Sequence, residues 1–104
     1  MGDFEINPGE STDTAVRSRI KRPPMYKVLL HNDDYTPMDF VVLILESVFH
    51  KTHDDAIHIM LSVHKKGIGE CGTFTREIAE VKTRNVTDLA RRNDYPLKCT
   101  MEPQ

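Results

Sequence analysis

The chain has 104 residues, 38 % apolar and 29 % charged, with a formal net charge of −2. That length holds one domain around one modest core, and the near-neutral balance without a long basic block speaks against nucleic acid as the main partner. No apolar run reaches the ~20 residues of a membrane span, and the acidic N-terminus lacks the apolar stretch of a secretory signal, so a cytoplasmic location is expected. The two cysteines, Cys71 and Cys99, form no C-x-x-C pair and are expected to be reduced and buried.

Residues 1–23 are rich in Gly, Pro, Ser, Thr and charge and show no periodicity, which predicts a flexible N-terminal extension before a folded unit over 24–104. Residues 25–31 alternate, with Tyr26, Val28 and Leu30 on one face, and predict a first strand. A turn follows, His31 to Met38, crowded with an amide, two carboxylates and a hydroxyl. Thr36 and Pro37 then suit the N-cap and first position of a helix. The run from Phe40 to Leu45 has the composition of a strand, but its apolar pattern continues to Phe49, and that length predicts a helix over 37–50.

Thr52 suits the cap of a second helix over 53–66, with Asp54 and Asp55 in its first turn and Gly67 just past its end. Residues 68–74 predict a strand whose glycines suggest a bulge. Thr75 can cap a third helix over 76–92, with an apolar stripe of Ile78, Val81, Val86 and Leu89. Residues 97–101 alternate and predict a last strand. The order β-α-α-β-α-β implies an α+β domain, with three helices packed on a mainly antiparallel three-stranded sheet.

Three chemistries are conceivable for these residues. His50, His53, Asp54, Asp55 and His58 crowd the start of the second helix, but His53 and His58 point apart, so a solvated, capped helix start explains them better than a metal site. Neither cysteine sits at a helix N-terminus that would activate it, and no phosphate loop is present, so no enzyme and no cofactor is expected. Met60, Val63 and His64 share one helical face. Packed near the turn, that face and the acceptors Asn32, Asp33 and Thr36 would make a small apolar cavity with a polar rim. Such a cavity suits a ligand with a cationic amine and a bulky apolar group.

The segments Asn32-Asp33-Asp34-Tyr35-Thr36-Pro37-Met38, Met60-Leu61-Ser62-Val63-His64, Cys71-Gly72, Glu77-Ile78-Ala79-Glu80-Val81-Lys82 and Pro96-Leu97-Lys98-Cys99-Thr100, in this order and spacing, closely resemble the ClpS family. These are bacterial adaptors that deliver N-end-rule substrates to the ClpA–ClpP protease. The resemblance implies that Asn32, Asp33 and His64 hold the substrate's free α-amine and first backbone groups. It implies a side-chain pocket of Leu30, Asp34, Thr36, Met38, Val41, Met60, Val63 and Leu97, with Met38 excluding β-branched residues. It implies ClpA docking through Glu77 and Lys82, and first residues Phe, Tyr, Trp or Leu. The competing reading is a structural module that holds a partner helix in its apolar groove.

Overall fold

In the computed structural model, residues 23–104 are described; the expected flexible extension, apart from Pro23, lies outside them. The elements are β1 (Met25–His31), α1 (Met38–Ser47), α2 (His53–Lys66), β2 (Ile68–Thr75), α3 (Arg76–Arg92) and β3 (Lys98–Pro103). The order is the expected β-α-α-β-α-β.

The most apolar strand takes the centre of the sheet. β1 lies between β2 and β3 and pairs antiparallel with both. Val28 and Leu30 are fully buried, together with Ile44, Leu45, Val86 and Cys71. The β1–β2 register shifts between Val28 and Leu29, which pair with Gly72 and Glu70, so Cys71 is the extra residue of a bulge. The glycine-rich strand absorbs this at Gly72, with φ +151.

α1 packs on α2, α2 on β2, and α3 across all three strands. At Gly69 the β2 backbone approaches α2 so closely that a Cβ would lie 2.5 Å from the Val63 side chain. α2 begins and ends as expected. Thr52 Oγ1 accepts from the Asp55 backbone N–H at 3.2 Å, and Gly67 takes the left-handed conformation at φ +86, its N–H donating to the Val63 carbonyl.

Three local expectations are corrected. α1 ends at Ser47 rather than His50: the chain turns there with His50 at φ +56, and the Lys51 N–H donates to the Leu45 carbonyl. Thr36 does not cap α1. Pro37 holds the cap position without a side-chain bond, because the Thr36 hydroxyl donates to Asp33 instead. In α3 the buried stripe is Ala79, Val86 and Ala90, while Ile78 and Val81 are each 48 % exposed. The small alanines let the helix lie close on the sheet, which turns the larger side chains of its first turns outward.

Candidate functional site

The turn between β1 and α1 folds around one carboxylate. Asp33 Oδ1 accepts from the backbone N–H groups of Tyr35 (2.8 Å) and Thr36 (2.7 Å), and Oδ2 accepts from the Thr36 hydroxyl (2.8 Å). Burial pushes the Asp33 carboxyl up, but these bonds together hold it below the usual carboxylate value. Opposite the turn, the backbone N–H of Asn32 donates to the Gly67 carbonyl at 2.9 Å. Gly67 closes α2, so this bond fixes the end of the helix bearing His64 against the start of the turn. At the turn's other end, Phe40 meets Tyr95 edge-on at 4.8 Å.

Between these elements lies a cleft of about 390 Å³, lined by Asn32 through Met38 and by Val41, Met60, Val63 and His64. Its floor is apolar: Val41, Met60 and Val63 are each under 10 % exposed. Its rim is polar, with Asn32 and His64 exposed and Asp33 half-buried. An ammonium offers three donors and no acceptor. The Asn32 carboxamide oxygen, a neutral His64 imidazole and the Asp33 charge are groups that could satisfy it.

Nine of the eleven residues expected in the amine site and side-chain pocket line this cleft; Leu30 and Leu97 do not. Leu30 is fully buried in the core. Leu97 lines a separate cleft of about 420 Å³ with Thr87, Ala90, Arg91 and Tyr95, which lacks a cluster of acceptors. Tyr35 and Pro37 line the first cleft without having been expected to. Their place inside an acceptor-rich turn was the only signal available. The expected docking residues differ in kind. Glu77 is exposed in the first turn of α3. The Lys82 ammonium instead donates to the Val48 carbonyl at 2.8 Å and lies 5.5 Å and 5.9 Å from the ring centroids of Phe74 and Phe49.

Among the described residues, no three His, Cys, Asp or Glu side chains converge as metal ligands, and His53 Nδ1 instead meets Glu46 at 2.6 Å. Burial pushes the Cys71 thiol far above its ordinary range and the Cys99 thiol up to about 11, so neither is a thiolate near neutral pH. Among the described residues no helix is long and apolar enough to cross a membrane.

Residues 21–100 match the family model described as ATP-dependent Clp protease adaptor protein ClpS. The chain belongs to the ClpS family. It is 53 % identical over 94 residues to the ATP-dependent Clp protease adapter protein ClpS of Nitratidesulfovibrio vulgaris, covering 90 % of this chain and 94 % of that one. It is 54 % identical over 100 residues to ClpS 1 of Agrobacterium fabrum, covering 96 % and 86 %. Among solved structures it resembles Agrobacterium tumefaciens ClpS2 bound to L-phenylalaninamide, with TM-score 0.77 and 41 % identity, covering 80 % of this chain and all of that one. Like the ClpS proteins it matches, the chain is an adaptor of the Clp protease and not an enzyme.

Proposed function

We propose that the cleft binds the free α-amine and the bulky apolar first side chain of N-end-rule substrates, and that the protein delivers them to ClpA–ClpP in the cytoplasm. The observation that carries this reading is the meeting of Asn32, Asp33 and His64 with Met38, Val41, Met60 and Val63 around one cleft. L-phenylalaninamide, the ligand of the ClpS2 structure, joins an α-amine to a benzyl group, the two groups that this rim and floor match.

The roles divide by chemistry. Asn32 and His64 accept from the ammonium. Asp33 contributes its negative charge and the remaining lone pairs of Oδ2, since three donors of its own turn already occupy it. The aromatic ring enters between Met38, Val41, Met60 and Val63, with Asp34 and Thr36 beside it. Met38 adapts to a flat ring but crowds a branch at Cβ, which favours Phe, Tyr, Trp and Leu over Val and Ile. Delivery proceeds by docking on ClpA through the face that includes Glu77 and Lys82.

The magnitudes are sufficient. Burying ~150–250 Å² of ring at ~25 cal/mol per Å² contributes roughly 4–6 kcal/mol. Charge-assisted hydrogen bonds contribute roughly 1.5–3 kcal/mol each. Association costs remove several kcal/mol, which leaves roughly micromolar or tighter affinity.

Fluorescence anisotropy with labelled peptides that begin Phe, Val and acetyl-Phe tests the reading. The free Phe peptide binds most tightly, and acetylation abolishes binding because it removes the charge. Equal affinity for all three would sink the proposal and favour a groove that holds a partner helix.

A further inference from the structure

Met38 stands at the mouth of the cleft with 43 % of its surface exposed. Met60, deeper in the same cleft, is 9 % exposed, and Met25 and Met101 are partly covered on β1 and β3. Among the described residues Met38 is therefore the thioether most open to a small oxidant. Its competitors are weak. Cys71 and Cys99 are buried, and their thiols stay protonated near neutral pH. A cysteine must attack peroxide as the thiolate rather than the thiol, whereas a thioether needs no deprotonation.

We propose that Met38 is a reversible oxidation site, and that its sulfoxide weakens binding of an apolar first side chain in the cleft. The inference rests on the reading of the cleft given above. The oxidant is hydrogen peroxide or an organic hydroperoxide. A lone pair of the Met38 sulfur attacks one peroxide oxygen, an S–O bond forms and the O–O bond breaks. The attacked oxygen gives up its proton, and the other oxygen takes up that proton, directly or through water, and leaves as water or alcohol. Sulfur loses two electrons and the peroxide gains two.

The product is no longer apolar. The side chain that shares the cleft with Val41, Met60 and Val63 now carries a strong hydrogen-bond acceptor. An entering ring would strip water from that oxygen without offering it a donor. The thioether's adaptability, which lets it fit a flat ring, is also lost to a bulkier, chiral group. A methionine sulfoxide reductase with a thiol reductant reverses the change, because both sulfoxide epimers have such an enzyme.

The test treats the full chain with graded hydrogen peroxide. Oxidation of each methionine is followed by mass spectrometry, and affinity for a peptide beginning with free Phe by anisotropy. We expect Met38 to oxidise faster than Met60 and affinity to fall about tenfold in step with it. Reductase treatment restores the original value, and Met38→Leu shows less than a twofold difference between treated and untreated protein. Unchanged affinity with Met38 fully oxidised overturns the proposal, as does oxidation of Met60 ahead of Met38. Recovery under reductase keeps the test decisive should the Leu variant fold poorly. Failure of the untreated protein to distinguish Phe from acetyl-Phe would instead sink the reading of the cleft, so the two failures are separable.

Discussion

The backbone N–H of Asn32 donates to the carbonyl of Gly67 at 2.9 Å, and this one bond joins the two halves of the cleft. Asn32 begins the turn, and Gly67 ends the helix that presents His64. Gly67 reaches this position with φ +86, and nothing lies within 4 Å of where its Cβ would be. Gly67→Ala therefore suffers only the left-handed conformation, roughly 1 kcal/mol. Two residues on, Gly69→Ala would drive a Cβ to 2.5 Å from Val63 Cγ2 and 3.2 Å from the Ile59 carbonyl. It should lose roughly 1–3 kcal/mol through forced repacking and disturb the cleft floor at Val63. Urea denaturation of both variants checks the order, and the reverse order would show that the α2–β2 contact is looser than described.

Asp33 makes the turn acid-sensitive. Although burial opposes it, hydrogen bonds from Thr36 and Tyr35 lower the carboxyl in the folded state. A group lowered on folding contributes stability that is fully present above its unfolded value, ~3.9, and is lost as pH falls through the folded value. Thermal melts of the wild type should therefore lose stability below about pH 4. Asp33→Ala should lose roughly 1–2 kcal/mol at pH 7 and show a shallower decline in acid. An identical decline in both proteins would place the acid sensitivity elsewhere.

His64 should serve the amine as a hydrogen-bond acceptor. His64→Ala should weaken affinity for a free Phe peptide about tenfold, while His64→Gln, which keeps an acceptor, should lose less. Anisotropy with the same peptide checks both, and unchanged affinity in His64→Ala would remove His64 from the amine site.

Lys82 carries structural weight at a position proposed for docking. Its ammonium donates to the Val48 carbonyl and lies near two aromatic rings, so Lys82→Ala should lose roughly 1–2 kcal/mol of stability. Glu77, exposed on α3, should cost almost nothing. A surface plasmon resonance assay on ClpA with Glu77→Ala reports docking alone. The same assay with Lys82→Ala needs a parallel melt, and an unchanged melt would contradict the role assigned to Lys82.

The cysteines should resist alkylation. Cys71 is fully buried and Cys99 is 8 % exposed, with burial raising both thiols. Iodoacetamide at pH 8 should label neither in the native protein within the time that it labels both in urea. Slow native labelling should reach Cys99 first. Prompt labelling of Cys71 would mean that the bulge in β2 opens readily.

What the sequence by itself determined is whatever depends on neighbours along the chain. Alternation and helical spacing placed three strands and three helices in their order, and Thr52 and Gly67 marked both ends of α2. The crowding of acceptors between β1 and α1, together with the shared face of Met60, Val63 and His64, pointed to a cleft with a polar rim. Only the tertiary structure decided how those groups are used. Asp33 turns its oxygens to its own turn, because two backbone N–H groups and a hydroxyl lie within reach once the loop closes. Lys82 finds the Val48 carbonyl 34 residues away, a partner that no spacing rule could name. α3 buries alanines rather than Ile78 and Val81, since the approach of the helix to the sheet, not the size of the side chain, selects the inner face. Leu30 lies in the core rather than in the cleft wall, because β1 is the central strand of the sheet and the side chain is fully buried.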